Sequence, residues 1–258
     1  MSKILSCLAA ALVFLAATAH AQDRSRLDEI LNRGTLRVGM TGDYLPFTFY
    51  DKATQAFRGF DVDMAEALGK ALGVKIEYVR TAWPQLMKDF EDDKFDIAMG
   101  GISITLDRQK KGFFTTAIMR EGKTPIARCA DKDKYATIAD IDKPGTRVIV
   151  NPGGTNERFA RTNIRNAQIK VYDDNVAIFD EIAKGDADLM MTDASETRYQ
   201  QKLHPGVLCA IHPDTPFDFA EKAYWLQRDV ALKAYVDQWL HISRENGSLK
   251  KIYAAWFE

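Results

Sequence analysis

The feature that most constrains this chain is that its strand-then-helix pattern runs once, stops, and starts again. In the first run, Thr35-Leu36-Arg37-Val38-Gly39-Met40 reads as a strand. Phe60 to Leu68 places apolar residues at helical spacing, and Gly73 ends that helix. Val74 to Val79 alternates as a strand, Trp83 to Phe90 reads as a short helix, and Phe95 to Met99 as a short strand. Between the first strand and helix, Asp43-Tyr44-Leu45-Pro46-Phe47 reads as an irregular loop, because Pro46 bars a regular helix. The second run has strands at Arg147–Val150, Ile169–Tyr172 and Ala187–Met191, a helix opening at Gly153-Gly154-Thr155, and another over Val176–Ile182. The chain closes on two amphipathic helices from Asp229 to Trp256, split at Gly247.

Alternation of this kind builds α/β layers around a parallel sheet. Two such units of similar size imply two α/β lobes. Ligands of open α/β sheets sit off the carboxyl ends of the strands, so facing lobes enclose a cleft and need a hinge. The expected hinge segments precede Lys123-Thr124-Pro125 and lie near Pro216-Phe217-Asp218. The expected division is 22–120 with 217–258 for the first lobe and 121–216 for the second.

The first 21 residues read as a secretory signal. Lys3 is the positive start, Ile4 to Thr18 the apolar run, and Ala19-His20-Ala21 a small-x-small cleavage site. Cys7 lies inside the apolar run, ahead of that site. The formal net charge of −1 becomes −2 once Lys3 is removed, a balance that calls for neither nucleic acid nor an anionic membrane as partner. Export also bears on the two remaining cysteines. Cys129 and Cys209 form one disulfide in an oxidising compartment, or else stay as two buried thiols. No C-x-x-C, H-E-x-x-H, P-loop or G-x-S-x-G spacing occurs, so the sequence offers no metal site, no cofactor and no nucleophile system. An oligomer is compatible with the sequence, and no pattern in it specifies one.

Chemistry-bearing residues gather where strands end. Gly100-Gly101-Ile102-Ser103 leads to Thr105, a natural N-cap, and to Arg108, whose fork of donors suits a carboxylate. A capped helix with a surface arginine is the plainer reading. Asn151-Pro152-Gly153-Gly154-Thr155-Asn156 puts free backbone N–H groups at a helix start, which attracts an anion. Asp193 and Glu196 lie three apart at another helix start, either as ordinary first-turn acids or as working carboxyls. A general acid needs a carboxyl shielded from water, so that its pKa rises toward working pH, and the edge of a closing cleft supplies that. Tyr44 and Trp83 are candidate walls for an apolar ring. Lys222 is a candidate partner for a second carboxylate, or a solvated lysine.

Taken together, Leu36-Arg37-Val38-Gly39, Tyr44-x-Pro46-Phe47, Gly59-Phe60-Asp61-Val62-Asp63 and Ser103-Ile104-Thr105-x-x-Arg108 resemble the type II periplasmic binding proteins for polar amino acids. That resemblance implies that Ser103 and Arg108 hold a ligand carboxylate, with Gly154-Thr155-Asn156 assisting and Asp193 meeting an amino group. Thr41 departs from it, standing where many such binders carry an acid for the ligand ammonium.

A narrower resemblance rests on Thr81-Ala82-Trp83-Pro84-Gln85-Leu86-Met87, Gly122-Lys123-Thr124-Pro125-Ile126, Asn151 to Glu157, Asp188 to Ala194 and Pro216 to Tyr224. These segments are similar to the exported cyclohexadienyl dehydratases, which share the binding-protein fold. The resemblance implies a periplasmic lyase acting on small anions, prephenate and arogenate, with Glu196 as general acid. Its competitor is a non-catalytic subunit that delivers a polar or cationic amino acid to an ABC permease.

Overall fold

A computed structural model describes residues 25–258. The expected signal over residues 1–21, with Lys3 and Cys7, lies outside the described residues. Among the described residues no helix is long and apolar enough to cross a membrane.

Two five-stranded sheets share one plan. The first runs, edge to edge, Lys75–Arg80, Thr35–Met40, Ile97–Ala98, Trp225–Leu226 and Phe113–Phe114. The second runs Gln168–Val171, Arg147–Val150, Leu189–Asp193, Lys123–Arg128 and Leu208–Ala210. In each, the first three strands are parallel and the fourth is antiparallel to the third. Helices cover both sheets, as parallel strands require. The first core packs Leu36, Val38 and Met40 under Phe60, Met64 and Leu68. The second packs Val148, Val150, Leu189 and Met191 against Ala160 and Ile164.

The periodic segments hold, with shifted ends. The helix read from Phe60 extends over Phe60–Leu72 and stops at Gly73, whose φ is 72°. The terminal helices are Val230–Glu245 and Ser248–Phe257, broken at Gly247. The helix expected from Trp83 begins only at Leu86. Trp83 and Pro84 form a turn instead, with the Gln85 and Leu86 amides both bonded to the Ala82 carbonyl. The helix expected from Val176 begins at Ile178, because Asp174 Oδ1 accepts from the Val176 and Ala177 amides and builds a side-chain turn there. The segment read as an irregular loop holds a short strand, Asp43–Tyr44, paired with Thr48–Asp51. Pro46 falls in the connection between them, where its missing N–H costs nothing.

Two chain segments cross between the sheets side by side. Met119–Glu121 pairs antiparallel with Ala220–Lys222. Just beyond, the Lys123 amide donates to Asp218 Oδ1 at 2.5 Å and the Phe217 amide to the Lys123 carbonyl at 2.8 Å. Gly122 allows this approach, since a Cβ there would fall 2.0 Å from the Asp218 carbonyl oxygen. In the second lobe Cys129 and Cys209 are bonded, closing a loop of sequence separation 80.

Candidate active site

The loops at the carboxyl ends of both sheets meet. Tyr44, Trp83, Ser103 and Lys222 come from one side; Asn151, Thr155, Asn156, Asn175 and Asp193 come from the other. The cavity between them is only about 10 Å³. The lobes are therefore shut. Asn175 Nδ2 of the second donates to the Asp43 carbonyl of the first at 2.8 Å. Gly153, at φ 74°, lies so close to Pro84 that a Cβ would come within 2.6 Å of the Pro84 Cα. Only glycine suits both that backbone angle and that contact.

A buried ion cluster spans the closed cleft. Asp193, at the end of the strand Leu189–Asp193, accepts from Lys123 Nζ at 2.7 Å, from Lys222 Nζ at 2.6 Å and from the Tyr44 hydroxyl. Lys123 also donates to Asn156 Oδ1 at 2.5 Å and Thr155 Oγ1 at 2.9 Å. Lys222 donates to Ser103 Oγ at 2.9 Å and stands 3.4 Å from Glu121 Oε1. The three charged side chains at the centre expose 3% or less of their area. Charges so far from water persist only when closely paired and fully hydrogen-bonded. Burial alone would raise the Asp193 carboxyl, but the charges of Lys123 and Lys222 outweigh it and hold the group well below the usual carboxylate range. Burial raises Glu121 instead, reinforced by the Asp193 charge and opposed by Lys222.

Glu196 sits in the first turn of the helix Ala194–Leu203, 1% exposed. Burial pushes its carboxyl up to about 8, against a hydrogen bond from Thr192 and with help from the Asp193 and Asp43 charges. That bond, from Thr192 Oγ1 to Glu196 Oε2, is 2.5 Å long. Thr192 Oγ1 in turn accepts from Asn156 Nδ2 at 3.0 Å. A continuous line of hydrogen bonds therefore runs from Lys123 in the cleft through Asn156 and Thr192 to Glu196. At neutral pH this carboxyl keeps its proton while Asp193 nearby is ionised. Two acids with pKa values driven apart are what proton transfer to a leaving group requires.

Arg108 is also buried, 6% exposed, with Nη1 donating to the Ser103 carbonyl at 2.8 Å. Among the described residues it meets no carboxylate. Burial lowers its guanidinium to about 10, and the charge of Arg158 acts in the same direction. The loop carrying Ser103 is fixed from beneath by Asp61, which accepts from the Gly101 amide at 2.7 Å and the Tyr224 hydroxyl at 3.0 Å. Tyr44 and Trp83 meet edge to face at 5.6 Å, and Trp83 Nε1 donates to Asp43 Oδ1 at 3.0 Å.

Of the residues singled out from sequence, Tyr44, Trp83, Ser103, Thr155, Asn156, Asp193 and Lys222 line the cleft. Glu196 and Arg108 stand one layer behind its wall. The sequence reading passed over Lys123, Glu121, Thr192, Asn151 and Asn175. Lys123 carried a signal: it opens a strand, Lys123–Arg128, in which the first five residues are all buried. A lysine heading an apolar strand has to find an anion.

The model of the bacterial extracellular solute-binding proteins, family 3, matches residues 36–258. A cyclohexadienyl dehydratase of Pseudomonas aeruginosa is 54% identical over 256 residues, spanning 99% of this chain and 93% of the relative. Among solved structures, an ancestral amino acid-binding protein described as a precursor of cyclohexadienyl dehydratase superposes with a TM-score of 0.83 at 36% identity, covering 91% of this chain and all of that one. An ancestral cyclohexadienyl dehydratase is 50% identical with a TM-score of 0.57, covering 91% and 97%. The chain belongs to the bacterial extracellular solute-binding proteins, family 3, and within them to the branch of the cyclohexadienyl dehydratases.

Proposed function

We propose that this protein is an exported cyclohexadienyl dehydratase, a lyase that converts prephenate to phenylpyruvate and arogenate to phenylalanine. The observation that carries the reading is the buried, protonated Glu196 beside a closed, cation-rich cleft. The identity to a dehydratase relative supports it. In prephenate, a ring carboxylate and a 4-hydroxyl occupy opposite ends of a cyclohexadiene. Glu196 gives its proton to the departing hydroxyl, which leaves as water. The bond to the ring carboxyl breaks, CO2 departs, and the electron pair completes the aromatic ring. Glu196 then regains a proton from solvent.

The remaining groups position the substrate. Arg108, Ser103 and the helix start at Thr155-Asn156 hold a carboxylate, and Tyr44 and Trp83 pack on the ring. Asp193 takes the ammonium of arogenate. The closed cleft is too small for prephenate, so the first lobe (22–120 with 217–258) swings from the second (121–216) on entry. Closure returns the acid to a dry site, where its proton is poised and water is kept from the ring. The segment Met1–Ala21 directs export to the periplasm, and the mature protein needs no cofactor, nucleic acid or membrane partner.

The alternative reading, an amino-acid-binding subunit of an ABC permease, is favoured by the superposition on an ancestral amino acid-binding protein. It predicts binding without turnover. Incubating the purified protein with prephenate and following phenylpyruvate by ultraviolet absorbance separates the two. Turnover that vanishes in Glu196→Gln supports the dehydratase; a wild-type protein that binds but never turns over removes it.

A further inference from the structure

If the dehydratase reading holds, the substrate brings two carboxylates to the cleft, and each needs a cation not already neutralised. Lys222 stands between Asp193 at 2.6 Å and Glu121 at 3.4 Å. Lys123 is tied to Asp193 at 2.7 Å. Among the described residues, two cations near the cleft have no carboxylate partner: Arg108, just behind the wall at Ser103, and Arg158 beside Thr155.

Arg158 lies in the first turn of the helix Thr155–Asn163, on the lobe opposite Arg108. It lines a second cavity of about 290 Å³, walled by Ser103 and Thr105 on one side and Thr155 and Phe159 on the other. Ser103 and Thr155 line both this cavity and the main cleft, so the two spaces adjoin there. The ionisable groups facing the cavity beside Arg158 are Lys123 and Asp218. The Asp218 carboxylate already accepts the Lys123 amide. The two guanidiniums repel one another across the lobe boundary, and the Arg158 charge adds to burial in lowering Arg108. An anionic group between them turns that repulsion into attraction on both sides.

We infer that Arg158 is a specificity-determining residue that holds the second carboxylate, so that a dianion bridges Arg108 on one lobe and Arg158 on the other. A single carboxylate engages Arg108 alone and gains nothing from Arg158. The residue thus sorts dicarboxylates from the monocarboxylate amino acids bound by proteins of the same fold.

The test uses the mature protein, its Arg158→Gln and Arg158→Lys variants, and Arg161→Gln as a control on the same helix. Two probes, 4-carboxyphenylacetate (a dianion) and phenylacetate (a monoanion), are titrated by tryptophan fluorescence, and prephenate kinetics are run in parallel. In Arg158→Gln the dianion binds roughly 10- to 100-fold more weakly, the size expected for a lost charge-assisted hydrogen bond. Phenylacetate affinity is unchanged, and the loss with prephenate appears in KM while kcat holds, as for binding made equally in ground and transition states. Arg158→Lys recovers part of the loss and Arg161→Gln shows none. An unchanged dianion affinity in Arg158→Gln, or equal loss for both probes, overturns the inference even if prephenate is turned over. Loss confined to the dianion in a protein that never turns over prephenate upholds the carboxylate site and sinks the dehydratase reading instead.

Discussion

Thr192 and Glu196 are joined by a 2.5 Å hydrogen bond in which the hydroxyl is the donor and the carboxyl Oε2 the acceptor. A donor of this kind favours the ionised carboxyl and partly offsets the burial that raises it. The threonine therefore sets how far the acid is pushed. Replacing Thr192 with Val keeps the shape and removes the donor. The Glu196 carboxyl then rises further, and the descending alkaline limb of the kcat profile moves to higher pH. Loss of a fixed orientation lowers kcat by about tenfold. Thr192→Ser restores both, and an unshifted profile would show that the hydroxyl only fills space.

Glu196→Gln removes the proton donor and keeps the volume. Turnover falls about 10²- to 10⁴-fold, with the dissociation constant of a dicarboxylate inhibitor within about threefold of wild type. In the wild type, kcat declines as pH rises through about 8, where the acid ionises. Stability carries the same signature. In the unfolded chain Glu196 loses its proton near the ordinary glutamate value, while the folded protein keeps it to about 8. The wild type therefore loses stability as pH rises from about 5 to 8, on the order of a few kcal/mol. The Gln variant lacks that slope, which denaturant titrations at pH 5 and pH 8 measure directly.

Asp193→Asn strips the shared anion from Lys123 and Lys222. Two buried ammonium groups then face each other with only Glu121 near one of them. The expected cost is about 3–5 kcal/mol in chemical denaturation. The variant also loses an acceptor that ties Tyr44 and Lys222 of one lobe to the other, so its radius of gyration in solution scattering exceeds that of the wild type.

The Cys129–Cys209 bond closes a long loop, of sequence separation 80, and such closures stabilise by about 4 kcal/mol in chain-entropy terms. Replacing both cysteines with Ser lowers the guanidinium midpoint accordingly. Both residues lie at the far end of the second sheet from the cleft, so prephenate turnover at room temperature is unchanged. A fall in kcat without a fall in midpoint contradicts this.

The sequence was most readable where chain order and spatial order coincide. The strand Thr35–Met40 and its parallel partner Lys75–Arg80 bracket the helix Phe60–Leu72, and hydrophobic periodicity marks all three. The cleft residues after those strands followed from the rule that ligands sit at carboxyl ends. The antiparallel strands Lys123–Arg128 and Leu208–Ala210 were not readable, because they pair across at least 80 residues, and Lys123–Arg128, with its first five residues all buried, carries no alternation. Lys123 stayed hidden with them. Its role depends on Asp193, which is 70 positions away, and no local pattern announces a partner at that distance. Thr192 was hidden for a similar reason: it matters through its bonds to Asn156 and Glu196, and alone it is an unremarkable polar residue near a strand end.

The contact between Gly122 and Asp218 has a consequence for how such a protein can change over generations. A hydrogen atom is all that separates the two passages of chain at that spot. Any side chain gained at 122 forces the strand near 218 outward and carries Lys222 with it. Position 122 is therefore barred to every residue with a side chain for as long as the two passages keep this spacing.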